Sequence, residues 1–395
     1  MNSTTKSNRL HISIFGRRNS GKSSLINAIT QNDISLVSSV AGTTTDAIHK
    51  SIEIHGIGAC TLVDTPGFDD IGELGEARIE RTQRAINQSD IALLLCEDCD
   101  LMLEKEWSEK LKKQNIPIIT IINKIDIRQN IEVLSCKIEE ISGIKPLLIS
   151  TKNGVDLEQI RESILRNLPE DYGNQTITGS LVCEGDTVML VMPQDIQAPK
   201  GRLILPQVQT LRELLDKKCS VICTTTDTFS STLKQLISPP KLIITDSQHF
   251  KKVYDLKPKE SLLTSFSVLM AGYKGEIKCF IEGAKAIDSL TETSKVLIAE
   301  ACVHIPIGED IGRVQIPNLL RKKVGEKLQI DTVSGRDFAE KNLSDYSLII
   351  HCGGCMFNRK YMLSRVEKAR ELNIPITNYG VTIAHIQGIL DCVVY

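Results

Sequence analysis

The chain has 395 residues, 41% of them hydrophobic and 24% charged, which is too much for one core and enough apolar mass to fill two or three. Its 47 Lys and Arg against 49 Asp and Glu leave a formal net charge of -2, a balance that argues against a polyanion-binding surface and so against nucleic acid as a partner. The N-terminal MNSTTKSNRLHISIFG lacks a signal core, no apolar run reaches membrane-spanning length, and the twelve cysteines read as buried thiols plus metal ligands, so a cytoplasmic protein without a membrane partner is expected.

Leu10 to Phe15 read as a buried strand that runs into Gly16-Arg17-Arg18-Asn19-Ser20-Gly21-Lys22-Ser23-Ser24 and then into the helical pattern Leu25 to Ile29. In that context backbone N–H groups can turn onto phosphates, Lys22 can face the β and γ oxygens, and the Ser23 hydroxyl can ligate magnesium. Gly42-Thr43-Thr44-Thr45-Asp46 has the form of a first switch, with Thr44 in the magnesium-binding position. Val63-Asp64-Thr65-Pro66-Gly67 ends a second strand, with the Asp64 carboxylate near the metal, directly or through water, and the Gly67 amide near the γ-phosphate. Asn123-Lys124-Ile125-Asp126 follows the strand Pro117 to Ile122, and its aspartate can accept from the N1 and N2 groups of guanine, which adenine cannot match. Ser150-Thr151-Lys152, after Leu147 to Ile149, has the form of the last base-side loop.

These five motifs, in this order, resemble those of the GTPases. The resemblance implies GTP and GDP as ligands, with Lys22, Thr44, Asp64 and Gly67 in the catalytic apparatus. Nucleotide contacts fall to Gly16, Asn19, Ser20, Gly21, Lys22, Ser23, Ser24, Asn123, Lys124, Asp126, Ser150, Thr151 and Lys152. Asn19 matches the asparagine that ligates potassium in the tRNA-modification and ribosome-assembly branch, and GTTTD is similar to that branch's GTTRD, so potassium-stimulated hydrolysis is expected. Phe68 stands where Ras-like enzymes carry a water-orienting glutamine, a task that an apolar side chain cannot perform; a potassium ion at the phosphates would supply compensating charge. Asp69, Asp70 and Glu73 read as a solvated acidic loop, and Cys96 with Cys99 as an incidental pair lacking a second pair. Asp156 to Leu168 form the closing helical pattern, and the polar stretch Pro169 to Asn174 is a linker.

From Thr176 onward, apolar runs at Thr187 to Met192, Ser220 to Thr224 and Leu242 to Ile244 alternate with helical segments such as Leu211 to Lys218, which predicts a small α/β module. Asp195, Lys200, Arg202, Asp246 and His249 read there as solvated or capping residues, and an open sheet edge would suit self-association. The theme repeats from Leu262, with Lys295 to Ala299, Leu348 to Ile350 and Pro375 to Thr377 as parallel strands. Beyond two of these stand Cys302-Val303-His304 and His351-Cys352-Gly353-Gly354-Cys355. Ligands gather at the carboxyl ends of strands in open α/β sheets, so the two clusters can converge although 46 residues lie between the histidines. Gly353 and Gly354 would let a bulky inorganic group approach the backbone. Two metal readings follow: structural zinc on Cys302, His304, Cys352 and Cys355, or a three-thiolate iron–sulfur cluster with an open fourth position.

Taken whole, the chain resembles the FeFe-hydrogenase maturation GTPases, through the C-x-H and H-C-x-x-C signature and through the run Ala198 to Gln207. The fold implied is α/β throughout: an N-terminal P-loop GTPase over 1–170, a middle α/β dimerisation domain over 176–260 and a C-terminal α/β iron–sulfur domain over 262–395. The resemblance further implies a 4Fe-4S cluster on Cys302, Cys352 and Cys355, with His304 or His351 either filling the fourth position or standing behind the ligands. It implies a diiron precursor as cargo, two radical-SAM maturases and the apo FeFe-hydrogenase as partners, and a homodimer. The alternative from another class is a potassium-dependent ribosome- or tRNA-acting GTPase with a structural zinc domain; the near-neutral charge and the lack of a basic, aromatic platform count against it.

Overall fold

The computed structural model describes residues 8–31, 49–67, 75–97, 100–153, 156–169, 172–173, 175–194, 201, 203–301, 310–335, 338 and 341–395. Thr44, Phe68, Asp69, Asp70, Glu73, Cys99, Asp195, Lys200, Arg202, Cys302 and His304 lie outside the described residues. The chain divides into two compact units, Met1–Gly173 and Asn174–Tyr395.

The first unit holds strands β1 (Leu10–Gly16), β2 (His49–Ile54), β3 (Gly58–Asp64), β4 (Ile91–Cys96), β5 (Ile118–Ile122) and β6 (Leu147–Leu148) in one sheet of order β2-β3-β1-β4-β5-β6. All pairings are parallel except the β2–β3 hairpin. β1 and β4 are buried along their whole length, as strands covered by helices on both faces must be. Their side chains alternate between two cores: Leu10, Ile12, Ile14, Leu93 and Leu95 in one, Phe15, Ala92, Leu94 and Cys96 in the other. Cys96 is therefore a core thiol, and burial pushes it up to about 12.

In the second unit β7 (Thr187–Val191), β8 (Ser220–Thr224), β9 (Leu242–Thr245) and β10 (Leu262–Ser265) form a parallel sheet of order β10-β9-β7-β8. β11 (Lys295–Glu300), β12 (Gln329–Ser334), β13 (Leu348–His351) and β14 (Ile376–Asn378) form another, of order β12-β11-β13-β14. Two sequence expectations shift. The Leu262 run pairs with β9 and completes the middle sheet, so the segment 262–395 begins inside that sheet; a short apolar run does not encode which neighbour it will pair with. The helix expected at Leu211 to Lys218 is Leu205–Asp216, opened early by Pro206 in its first turn and by Gln207, whose Oε1 accepts from the Ile204 N–H at 3.1 Å and whose Nε2 donates to Asp246 at 3.0 Å. The two sheets share a core in which Met189, Val191 and Ile243 join Val296, Ile298 and Ile350. Among the described residues no helix is long and apolar enough to cross a membrane.

Candidate functional site

In the first unit the described motif loops, those after β1, β3, β5 and β6, leave the carboxyl edge of one sheet. β1 ends at Gly16, opposite Leu95 of β4, and Ile14 lies opposite Asp64 of β3, so the loop 16–24 and the end of β3 emerge side by side. The Thr65 hydroxyl ties them by donating to Ile14 O at 2.6 Å. Gly16 has no alternative, because a Cβ there would meet Ser20 Oγ at 2.8 Å and Leu95 O at 2.9 Å. Lys22 opens the helix Lys22–Gln31, is buried, and donates to Gly16 O at 3.0 Å and Arg17 O at 2.7 Å. Its ammonium is thereby held against the loop that would receive phosphates. Ser23 Oγ donates to Asp64 Oδ2 at 2.7 Å, while Asp64 Oδ1 is buried with no hydrogen-bond partner. A hydroxyl beside a carboxylate with a spare oxygen fits a hydrated magnesium ion. Gly67 follows, half-buried, and Ser24 is exposed.

Asn123 joins three loops. Its Nδ2 donates to Ser20 O at 3.1 Å, and its Oδ1 accepts from Lys124 N at 2.8 Å and Thr151 N at 3.2 Å. A Cβ on Gly21, whose φ is +95°, would stand 2.2 Å from Asn123 Nδ2, so that glycine is what lets the phosphate loop and the base loops meet. Lys124 spans the same junction, donating to Asn19 O at 2.6 Å and to Glu97 at 2.5 Å. Asn19 itself has φ +61° and an exposed side chain. Asp126 is fixed by the Ser150 hydroxyl at 2.6 Å, which holds its carboxyl below the usual range with a smaller contribution from the Lys152 charge. It therefore presents an ionised carboxylate at the base side. One anchor was not legible in the motifs: Arg17 makes a two-point ion pair with Glu104 at 2.8 and 3.0 Å, bracing the phosphate loop on the helix Met102–Lys113. Glu104 looks in sequence like any surface glutamate; it lies on the buried face of its helix with Trp107, Ser108 and Leu111, where Arg17 pairs with it.

In the second unit β11 and β13 are neighbours from which the chain departs in opposite directions, to β12 on one side and β14 on the other. The crevice beyond their carboxyl ends is a topological switch point, the place where open α/β sheets take ligands. Ala301 and Cys352 stand there together, with Ala301 N donating to Cys352 Sγ at 3.0 Å and Gly354 N donating at 3.5 Å. Burial pushes the Cys352 thiol up to about 11; an unligated thiolate is disfavoured here, and a metal that displaces the proton would relieve that cost. Cys352 and Cys355 both remain partly open. Gly354 has φ +61°, and a Cβ there would stand 2.5 Å from Met362 Sδ, so the loop needs glycine for conformation and for space. Among the described residues no three ligand-type side chains converge.

Two buried side chains, Lys274 and Arg365, support this loop, and the motifs did not reveal them. Lys274, which ends the helix Phe266–Lys274, is 1% exposed and donates to Gly354 O at 3.3 Å, Cys355 O at 3.2 Å and Phe357 O at 2.9 Å. Burial lowers its ammonium to about 8 against the opposing pull of Cys355 and Cys352. Arg365 lies among Phe338, Phe357 and Tyr361, with ring centroids 4.6 to 4.9 Å away, and reaches both Gly335 O and His351 Nε2, the latter at 2.6 Å. Tyr379 is buried at the carboxyl end of β14. His351 is fully buried, its Nδ1 lies 2.7 Å from Cys352 O, and burial followed by the Arg365 charge lowers it to about 3. Both ring nitrogens of this neutral imidazole are thus engaged, which suits support of the loop rather than ligation.

The class these features define is a P-loop GTPase carrying a second α/β unit with a thiol site at a sheet switch point. The chain belongs to the hydrogen maturase F family: the dimerization-domain model matches residues 177–275 and the tetramerization-domain model residues 278–395. A third model, described as a 50S ribosome-binding GTPase, matches residues 11–124. The tRNA modification GTPase MnmE of Actinobacillus pleuropneumoniae serotype 3 (strain JL03) is 32% identical over 181 residues, which are 44% of this chain and 38% of that protein. The GTPase Der of Wolinella succinogenes is 34% identical over 187 residues, 42% and 39% respectively. The chain thus spans about two fifths of the length of these curated relatives. Among solved structures, the crystal structure of Era in complex with MgGDPNP and nucleotides 1506-1542 of 16S ribosomal RNA is 19% identical, covering 55% of this chain and 93% of that one at a TM-score of 0.35.

Proposed function

We propose that this protein is a GTP-hydrolysing scaffold of FeFe-hydrogenase maturation, which binds a 4Fe-4S cluster through Cys302, Cys352 and Cys355 and passes a diiron precursor to the apo-hydrogenase. The observation that carries the proposal is that Lys22, Ser23, Asp64 and Asn123 gather at one sheet edge of a chain that also holds thiols at the switch point of β11 and β13. Three thiolates would hold the cubane, leaving one iron for an exchangeable ligand through which cargo is taken up and released. His351 serves in this reading as loop support behind the ligands. On the nucleotide side Lys22 neutralises phosphate charge, Ser23, Asp64 and Thr44 hold magnesium, Asp126 reads guanine, and Asn19 binds a potassium ion that stimulates hydrolysis. Two radical-SAM maturases are the proposed cargo source, the homodimer the working form, and the cytoplasm the compartment. GTP binding would bias partner exchange through the switch segments.

The deciding experiment is anaerobic reconstitution of the full chain with iron and sulfide, followed by metal analysis and an EPR spectrum after dithionite reduction. About four irons per chain with a reduced-cubane signal supports the scaffold; a colourless protein with one tight zinc moves the C-terminal sheet to a structural role. GTP hydrolysis compared in potassium and in sodium tests Asn19, and equal rates in both would remove the potassium assignment.

A further inference from the structure

The geometry points to the hydroxyl of Tyr379 as a hydrogen-bond donor to a sulfur of the metal centre held at Cys352, an inference that rests on the iron–sulfur reading above. Tyr379 is the first residue of the helix Tyr379–Ile386, directly after β14. Its position is over-determined. Asn378 Oδ1 accepts from Gly380 N at 2.8 Å and from Ser267 Oγ at 3.0 Å, Gly380 N also donates to Ser267 Oγ at 3.2 Å, and a Cβ on Gly380 would fall 2.9 Å from Ser267 Cβ. The backbone on both sides of Tyr379 is thereby fixed at the carboxyl end of the sheet.

The hydroxyl occupies the space that a side chain at position 312 would need: a Cβ on Gly312 would stand 2.0 Å from Tyr379 Oη and 2.9 Å from Glu300 Oε1. Phenol and carboxylate therefore reach the same point, beside the last residue of β11 and one residue before Ala301, whose N–H donates to Cys352 Sγ. Glu300 Oε2 accepts from Arg313 at 3.0 Å and from Ser334 at 3.0 Å, and Oε1, although near the same point, makes no hydrogen bond with the phenol. Tyr379 is 9% exposed, and its Oη is buried with no hydrogen-bond partner among the described residues. Leaving such a donor unmade costs stability, a cost that phenylalanine would avoid if packing were the ring's whole task. Burial first, and then the neighbouring Cys352, Glu300 and Asp310, hold the phenol in its protonated, donating form against the pull of Arg313. A sulfur anchored at Cys352 is the acceptor this donor lacks, and hydrogen bonds to cluster sulfurs raise the reduction potential.

The test uses the reconstituted full chain as wild type, Tyr379→Phe and Gly312→Ala, the last placing a methyl group where the hydroxyl lies. Iron content, the midpoint from an EPR-monitored redox titration, and pulsed EPR after exchange into deuterated buffer are measured on each. The expected result is unchanged iron with a midpoint shifted to more negative potential in both variants, and a coupled exchangeable deuteron in wild type that Tyr379→Phe loses. Iron-loaded wild type and Tyr379→Phe with the same midpoint and the same deuteron coupling would overturn the assignment of Tyr379 and leave the cluster reading standing. A wild type that takes up no iron would overturn both. Should Tyr379→Phe fail to fold, absence of the deuteron coupling in the wild type alone refutes the hydrogen bond.

Discussion

Replacing Asn123 with alanine removes a side chain that is 2% exposed and holds the three loops of the nucleotide site through contacts of 3.1, 2.8 and 3.2 Å. The substitution orphans Ser20 O, Lys124 N and Thr151 N. Each buried group left unpaired costs about 1–3 kcal/mol, although water entering from the open site would rescue part of it, so a total near 3 kcal/mol is a reasonable expectation. Spent as lost preorganisation, that is about 100-fold weaker nucleotide binding. Asn123→Asp keeps the acceptor toward Lys124 and Thr151 but sets a carboxylate oxygen against Ser20 O where the amide donated, beside the phosphate loop, and should weaken binding at least as much as alanine. Titration of the full chain with a fluorescent GDP analogue, beside thermal melting of the free protein, separates affinity from stability. An alanine variant that binds within threefold of wild type would refute the view that this side chain, rather than the backbone geometry of each loop alone, assembles the site.

Further outcomes follow from the same contacts. Lys22→Ala should abolish GTP hydrolysis while leaving iron content after reconstitution unchanged, and Cys352→Ser should do the reverse; loss of both properties in either folded variant would contradict two separately built sites. Gly354→Ala forces a positive φ on a residue with a Cβ and drives it against Met362; a left-handed residue costs about 1–2 kcal/mol before the clash is counted, and iron retention under chelator challenge should drop while nucleotide affinity holds. His11 offers a pH test. Burial lowers it to about 4, outweighing the Arg9 carbonyl at 2.9 Å, with the His49 and Arg9 charges adding to the lowering. The unfolded chain takes up this proton near pH 6.5 and the folded chain only near 4, so stability of the N-terminal unit should fall as pH drops through that window, by up to about 1.4 kcal/mol per pH unit. His11→Gln should flatten that part of the melting-temperature profile, and an unchanged slope would exclude His11 as its source.

The strand ends that carry the phosphate-loop and base-loop motifs were legible in the sequence, because each motif is local: a strand end, a glycine loop and a helix start are encoded within ten residues. The sequence also determined that Cys352 and Cys355 would follow a buried strand, since the apolar run Leu348 to Ile350 is contiguous with them. Tertiary structure alone decided the supports. Lys274 lies 80 residues from the Gly354 carbonyl it holds, Arg17 87 residues from Glu104, and Tyr379 67 residues from Gly312. Nothing local distinguishes a lysine that ends an apolar helix to cap three carbonyls from one that reaches water. The strand Leu262–Ser265 makes the same point at the level of the fold, since its four residues read equally well in either sheet and the pairing with β9 assigns it to the middle one. Periodicity records that a side chain will be buried; the partner that satisfies it there is set by the packing of elements distant in the chain.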